Sequence, residues 1–318
     1  MRVNGSRRAF CRLTLAGVAG GVLPWPSYGQ GTRGASKDAA AVPAAVQVGE
    51  SVFVIAGGGG GNVVVALGPD AALVVNGGHA SRAPATLARV QEVAGGRPIR
   101  TLFNTDWHAE HTGLNEAVGR AGGAIVAHEF TRQYLGTEMT VEWQGTTYAP
   151  LPKAALPTTT CRTAGSMTLG GETVEYGPLG QAHTDGDLYV FFRRANVLVA
   201  GDVLSVGTYP IADYNSGGWL GGLATANKTL LDLTGADTRY VPGAGPTQPR
   251  AALQAQYEML SAMRDRMHKA FRQGMGASDM LAAGLSKDFD PAWGAPERFI
   301  ATSYRGMWLH IRELGGVV

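Results

Sequence analysis

The pattern of hydrophobic and polar positions changes several times along the chain, and these changes predict most of its elements. Between residues 46 and 103, short β-branched runs separated by Gly, Pro and Asp are typical of strands joined by turns. Helical spacing of Leu87, Val90 and Val93 interrupts them, and after Pro249 the pattern is wholly helical. The predicted strands are 52–55, 63–67, 73–75, 100–103, 125–127, 174–176, 188–192, 197–200 and 238–241; the predicted helices are 82–94, 113–121, 220–233, 253–273, 277–284 and 296–314.

This alternation predicts a mixed α/β fold with two halves in a single domain at residues 43–248. Residues 249–318 form a predicted C-terminal helical extension packed on that domain. The Gly run at 57–61 stands between two strands. Because a phosphate-binding loop leads into a helix, this run is interpreted as a hairpin connection.

The first 29 residues have the pattern of an export signal. Arg2, Arg7 and Arg8 precede an apolar stretch at 13–23 that is too short to span a bilayer. The string Ser6-Arg7-Arg8 resembles the twin-arginine export signal. We therefore expect a signal peptide at 1–29, a flexible spacer at 30–42 and a periplasmic protein with no stable membrane anchor after signal removal.

Composition excludes some classes of partner. The 318 residues are 45% hydrophobic and 16% charged, which is enough for a buried core. A net charge of +2 and the absence of a lysine-rich run argue against nucleic acid as a partner. Of the two cysteines, Cys11 falls in the predicted signal, so Cys161 has no internal disulfide partner and is expected to be an apolar filler.

Four candidate metal ligands lie within six residues, directly after the strand predicted at 100–103. They are Asp106, His108, Glu110 and His111. Residues two apart on an extended segment point to the same side, so Asp106 and His108 can share one ion. Imidazole and carboxylate are the zinc ligands of sites without thiolates.

Two more candidates follow at the ends of other predicted strands. His183 lies in the loop 181–187 before a strand, and Asp202 follows the strand predicted at 197–200. Loops at strand ends are where a rigid sheet presents chemistry.

These strings resemble the metallo-β-lactamase superfamily, whose members carry T-H-x-H-x-D-H, a G-H-T-x-G-D-like segment, G-D and P-G-H-G in this order. The resemblance runs from about residue 46 to 250. It implies a four-layer αββα sandwich with a C-terminal helical extension, and a metal-dependent hydrolase. The stretch 209–218 and the helical tail resemble a subgroup of periplasmic zinc hydrolases associated with quinoprotein dehydrogenase systems. Tyr209, Asn215 and Ser216 then either line the substrate cleft or belong to a Gly-rich surface loop.

The resemblance implies two adjacent metal positions. The first uses Asp106, His108 and His183, bridged by Asp202; the second uses Glu110, His111, Asp202 and a late histidine. The chain departs from the family pattern at three positions: Asp106 replaces the first histidine, Ala244 the late histidine, and Asn76 an early acidic residue. We therefore expect about one zinc per chain with a weakened second position, and iron or manganese as other candidate metals because the set is rich in carboxylates.

The implied reaction is attack of metal-bound water on an ester, thioester, amide or lactone of a small molecule. Glu110 and Asp202 are the candidate catalytic residues, with Glu110 as general base. His111 either ligates a weak second ion or stabilises the developing oxyanion. Two alternatives stay open: a catalytically inactive periplasmic binding or accessory protein on the same fold, and a mononuclear iron oxygenase, since two histidines and a carboxylate also bind iron.

Overall fold

The computed structural model describes residues 44–56 and 60–310. The predicted signal peptide, the predicted spacer and the last residues of the helix predicted at 296–314 lie outside them. The strands are β1 Ala45–Gln47, β2 Val52–Ile55, β3 Val63–Leu67, β4 Ala72–Val75, β5 Ile99–Phe103, β6 Ala124–His128, β7 Met139–Val141, β8 Thr146–Tyr148, β9 Thr159–Cys161, β10 Gly165–Leu169, β11 Glu172–Pro178, β12 Leu188–Phe192, β13 Val197–Gly201, β14 Arg239–Pro242 and β15 Gln248–Pro249. The helices are α1 Ala83–Ala94, α2 Ala109–Thr112, α3 Asn115–Arg120, α4 Glu129–Leu135, α5 Leu220–Leu233, α6 Arg250–Arg272, α7 Ala277–Ala282, α8 Asp290–Trp293 and α9 Glu297–Leu309, with short 3-10 turns at Ala80–Arg82, Lys153–Ala155 and Tyr214–Ser216.

Two large sheets form the centre of the described chain. The first has seven strands in the order β1-β2-β3-β4-β5-β6-β9, and the second has six in the order β10-β11-β12-β13-β14-β15. The strands pair antiparallel from β1 to β4 and parallel from β4 through β5 and β6 to β9. In the second sheet, the parallel pair is β13 and β14.

The two sheets pack face to face, and helices cover their outer faces. Val64 and Phe103 of the first sheet share one core with Val199 of the second. On the outer side of the first sheet, Val65 packs with Val90 of α1. The outer side of the second sheet packs against α5, α6 and α9. The layers are therefore αββα, which confirms the expected fold class.

Burial on both faces explains why the strand sequences are continuous apolar runs. Val64 and Val65 are neighbours in β3, yet they belong to the cores on opposite faces of the sheet. An internal strand covered on both sides has no solvated face and so shows no polar alternation. The strands on either side of the 57–61 segment, β2 and β3, pair antiparallel with Ile55 opposite Val63, while residues 57–59 lie outside the described residues.

The helix predicted at 113–121 is wrong in its bounds. The structure has α2 before Gly113 and α3 from Asn115 instead. A Cβ at Gly113 would lie 2.4 Å from the carbonyl oxygen of Gly78, so the chain passes too close to its neighbour for a larger residue. Elements that the sequence pattern did not predict are α4, α8, the separate two-stranded sheet β7–β8, and the strands β1, β9, β10 and β15.

The C-terminal helices pack on the second sheet through α5 and α6. Met259, Met263 and Met267 of α6 are buried in the same core as Leu223 of α5. Gln256 adds a polar link between the layers, with Nε2 donating to Val203 O at 2.7 Å and to Asn227 Oδ1 at 3.0 Å, and Oε1 accepting from Ser205 N at 2.9 Å. The boundary at residue 249 stays a prediction. Within residues 44–56 and 60–310, no helix has both the length and the apolarity needed to cross a membrane.

Candidate metal centre

The candidate ligands come from three loops that follow or precede central strands. Asp106 and His108 lie just after β5, Asp202 lies directly after β13, and His183 lies in the loop before β12. His111 is in the short helix α2. The rigid sheets thus hold loop residues from distant parts of the chain close to one another.

A first cluster consists of Asp106, His108 and His183. Asp106 Oδ1 lies 3.2 Å from His108 Nδ1, and His183 Nε2 lies 3.1 Å from the same nitrogen. All three residues are buried, and one ligand atom from each lies within 4.8 Å of the others. Ligands of a tetrahedral zinc at 2.0–2.1 Å are separated by roughly 3.3 Å. The separations of 3.2 and 3.1 Å from His108 Nδ1 therefore fit ligands of one zinc ion.

A second cluster consists of Asp106, His111 and Asp202. His111 Nε2 lies 3.3 Å from Asp106 Oδ2 and 3.3 Å from Asp202 Oδ1. The other oxygen of Asp202 lies 3.6 Å from His183 Nε2. Asp202 is the partly exposed member, with 24% of its side chain accessible, so the clusters meet solvent on its side.

Glu110 belongs to neither cluster. Its side chain is partly exposed, and its charge contributes to raising the pKa values of His111 and Tyr148. Glu110 therefore lies near the opening of the site. Its assignments as metal ligand and as general base stay predictions.

The carboxylates of the site stabilise positive charge within it. Burial lowers the pKa of His111, but the carboxylates of Asp106 and Asp202 outweigh it and raise this pKa to about 10. Burial raises the pKa of Asp106, but His111 and His108 outweigh it and hold this pKa far below its usual range. Carboxylates that stabilise protonated histidines in this way can also stabilise a divalent metal ion.

Asn76, which stands where the family has an acidic residue, holds the segment that carries Asp106. It adopts a left-handed backbone with φ of 62°. Its Oδ1 accepts from Thr105 N at 2.9 Å, and its Nδ2 donates to Thr105 Oγ1 at 3.0 Å. The amide of Asn76 thus bonds both the backbone and the hydroxyl of Thr105, the residue that precedes the first ligand.

Asp213 is a site residue that the sequence analysis missed. It is fully buried, and its Oδ2 lies 3.3 Å from His108 Nε2. Ser216 Oγ and Trp143 Nε1 donate to its carboxylate at 2.5 and 2.8 Å. A carboxylate behind a ligating histidine orients the ring and raises its basicity. The only signal in the sequence was its place in the polar stretch 209–218.

The residues proposed for the cleft in that stretch have other contacts. Tyr209 is buried, stacks on Phe299 with ring centroids 4.7 Å apart, and donates to Asp290 Oδ1 at 2.8 Å. Ser216 supports Asp213, and Asn215 accepts from the backbone N of Glu142 at 3.1 Å. Tyr209 therefore belongs to the C-terminal core rather than to the cleft.

Aromatic side chains enclose the first cluster. Trp107 is buried and stacks on His108, with centroids 4.6 Å apart and an interplanar angle of 27°. Tyr148 of β8 meets Trp107 edge-on at 5.5 Å. The β7–β8 hairpin thus supplies Tyr148 and, from its turn, the Trp143 that contacts Asp213.

Comparisons with known proteins agree with this architecture. The chain is similar to a metallo-beta-lactamase from Pontibacter korlensis (18% identity, 68% of this chain and 98% of that chain, TM-score 0.55) and to the DIM-1 metallo-beta-lactamase (17%, 69% and 98%, 0.55). It is also similar to the stereoselective inverting sec-alkylsulfatase Pisa1 from Pseudomonas sp. (14% identity, TM-score 0.64), of which it spans half the length while 84% of this chain is covered. At these identities the likeness shows the fold alone. None of the curated proteins matches the sequence significantly.

A family model adds evidence from the sequence itself. The model of the metallo-beta-lactamase superfamily matches residues 56–258, which is more than half of the chain and includes every residue of both clusters. Together with the αββα layers, this match leads to one conclusion: the chain belongs to the metallo-beta-lactamase superfamily.

Proposed function

We propose that this protein is a metal-dependent hydrolase that acts on an ester, thioester, amide or lactone of a small molecule. The observation that carries the proposal is the first cluster, in which three buried donor atoms lie 3.1 and 3.2 Å apart along its two measured edges. Two histidines and one carboxylate, with room for a fourth ligand, form a suitable set for a catalytic zinc. Membership of the superfamily supports the same reaction class.

The residues in and around the first cluster have two roles, metal binding and proton transfer. Asp106, His108 and His183 would hold the zinc ion, which when bound would supply a Lewis acid and activate a water nucleophile. Because Asp106 replaces a neutral ligand, its charge weakens that acid, and a nearby base becomes more important. Asp202 is the partly exposed carboxylate beside His183, and Glu110 lies near the opening, so these two residues are the candidates for proton transfer.

The charge near the opening favours a substrate that is uncharged at its reacting end. Asp202 and Glu110 both place carboxylates there, while Tyr148 adds an aromatic wall. The carboxylate of Glu110, which lies outside both clusters, repels an anionic group. A neutral acyl compound fits this surface better than a carboxylate or sulfate ester does.

Metal content and hydrolysis, measured on the same preparations, test the proposal. His183→Ala and Asp202→Ala are compared with His79→Ala, a histidine control at an exposed position outside both clusters. We expect the zinc of the first cluster to be lost in His183→Ala, hydrolysis to be lost in both site variants, and His79→Ala to retain both. The substrates are a nitrophenyl ester, a thioester, a lactone and, because of the similar alkylsulfatase structure, a secondary alkyl sulfate. Unchanged turnover in His183→Ala contradicts the assignment.

The same measurements separate the alternatives. Bound iron with visible colour and substrate-dependent oxygen uptake supports the oxygenase. No metal after reconstitution, with no turnover, supports the inactive binding protein. We propose zinc as the metal, and one zinc at the first cluster is sufficient for the hydrolase.

We also propose that the chain is exported to the periplasm by the twin-arginine route, on the basis of Arg7 and Arg8 before a mildly apolar stretch. Cell fractionation of the full-length protein and its Arg7→Lys/Arg8→Lys variant tests this proposal. We expect the variant to stay in the cytoplasm. Recovery of the variant from the periplasm at the level of the original protein contradicts export by the twin-arginine route.

A further inference from the structure

His111 Nε2 has surroundings that its own hydrogen bonds do not explain. The side chain is fully buried, and this nitrogen has no hydrogen-bond partner among the described residues. Two carboxylate oxygens, from Asp106 and Asp202, nevertheless lie only 3.3 Å away. The two nitrogen–oxygen distances are short, but neither contact is a hydrogen bond. Donor atoms that share an ion point toward a common centre rather than toward one another.

Asp106 divides its two carboxylate oxygens between the two clusters. Oδ1 lies 3.2 Å from His108 Nδ1 and accepts from His108 N at 2.8 Å. Oδ2 lies 3.3 Å from His111 Nε2, on the other side of the carboxylate. An imidazole presents two nitrogens at opposite edges of a ring, so a histidine at this position could not offer adjacent donors to two neighbouring ions.

Asp202 divides its oxygens in the same way. Its Oδ1 lies 3.3 Å from His111 Nε2 and its Oδ2 lies 3.6 Å from His183 Nε2. Asp106 and Asp202 therefore each have one oxygen beside His111 and the other oxygen beside a histidine of the first cluster. Ala244 contributes no donor atom, and Glu110 lies outside both clusters.

We propose that Asp106 is a shared ligand of two divalent cations, and that its second oxygen replaces the histidine missing at Ala244. The second ion is held by Asp106 Oδ2, His111 Nε2 and Asp202 Oδ1, without Glu110. This inference rests on the first ion position of the proposed function. With two carboxylates and one imidazole, the second position accepts zinc and also harder cations such as manganese.

Two departures from the family pattern, Asp106 and Ala244, then have a common explanation. The replacement of a histidine by Asp106 costs the first position a neutral ligand, but it supplies the second position with an anionic one. The loss of the late histidine at Ala244 is then compensated. A single-ion site would leave this oxygen of Asp106 and the nitrogen of His111 beside each other with neither a hydrogen bond nor a metal ion between them.

Zinc stoichiometry tests the proposal without reference to turnover. The purified protein is loaded with excess zinc, separated from free metal and assayed by mass spectrometry for zinc per chain. We expect two zinc ions in the original protein and in Glu110→Gln, which is the matched carboxylate control. Asp106→His and His111→Ala should each retain one, so the metal content falls two-fold. The double variant Asp106→His/Ala244→His should return to two, because the second histidine replaces the lost oxygen.

Two further measurements are needed to interpret the zinc stoichiometry. Circular dichroism and thermal melting of each variant show whether it has folded, and anomalous diffraction from zinc-loaded crystals shows which ligands hold each ion. One zinc in the original protein, lost in His183→Ala, overturns this inference while the proposed hydrolase stands. Two zinc ions in Asp106→His together with one in Glu110→Gln also overturn it, since Glu110 is then the second-site ligand. No bound zinc at all overturns both proposals.

Discussion

Asp213 Oδ2 lies 3.3 Å from His108 Nε2, on the opposite side of the imidazole from the metal cluster. The carboxylate is fully buried and is held in turn by Ser216 and Trp143. The ring of His108 is therefore placed between two buried carboxylates, Asp213 and Asp106. This arrangement fixes which nitrogen faces the cluster.

From this contact we expect Asp213→Asn to weaken zinc binding by about 10- to 100-fold. The amide keeps the volume of the side chain but removes the charge that supports His108. Competition with a fluorescent chelator measures the affinity, and Asp237→Asn at an exposed position is the control. An affinity equal to that of the control would show that Asp213 does not orient the ligand.

Gly243 is expected to tolerate no side chain, because the chain passes directly beside Asp202. A Cβ at Gly243 would lie 1.7 Å from Asp202 Oδ1. Gly243→Ala must therefore displace this carboxylate, and a displacement of about 1 Å lowers turnover on the order of 100-fold. Gly235→Ala is the control, since nothing lies within 4 Å of its Cβ. Steady-state kinetics of both variants provides the measurement, and equal turnover contradicts the prediction.

Gln256 should contribute strongly to the attachment of α6. Truncation to alanine leaves two buried polar groups, on Val203 and Asn227, and the half-buried backbone amide of Ser205 without this partner. We expect Gln256→Ala to lower the free energy of unfolding by about 2–4 kcal/mol. Urea denaturation measures the change. Gln254→Ala, on an exposed face of the same helix, should change it by less than about 0.5 kcal/mol.

Removal of metal should destabilise the fold, because a ligand that binds only the native state adds to its stability. At a free zinc concentration of about 1,000 times Kd this contribution is about 4 kcal/mol. Treatment with a chelator should therefore lower the melting temperature, and added zinc should restore it. The double variant His111→Ala/His183→Ala, which lacks a histidine of each cluster, is the control and should respond much less. A melting temperature unaffected by chelation in the original protein contradicts a bound metal.

Cys161 should react slowly with alkylating reagents. It is half-buried, and burial raises the pKa of its thiol to about 11. The reactive thiolate is therefore scarce at pH 8 and increases as the pH approaches 11. At pH 8 we expect alkylation on the order of 100-fold slower than for the unfolded chain, whose thiol has its ordinary pKa. Mass spectrometry of iodoacetamide-treated protein, with a urea-denatured control, measures the rate. Equal rates would show that the thiol is not protected.

Local sequence pattern determined most of the central strands and the main helices of the chain. Strands such as β3 and β12 are buried on both faces, so their apolar runs are visible without any knowledge of neighbours. The helix α5 has the predicted bounds of Leu220–Leu233. The small hairpin β7–β8 was missed because its strands are only three residues long and largely exposed, which leaves almost no hydrophobic pattern.

The sequence also determined which residue types are available for metal binding, because His and carboxylate side chains at strand ends are recognisable in order and spacing. Only the tertiary structure decided how they combine. Asp106 and Asp202 are far apart in the chain, and the packing of two sheets brings both beside His111. The same packing places Asp213 behind His108 and leaves Glu110 outside both clusters. Spacing along a chain restricts only neighbouring residues, whereas a metal site depends on ångström distances between loops that the folded core alone holds together.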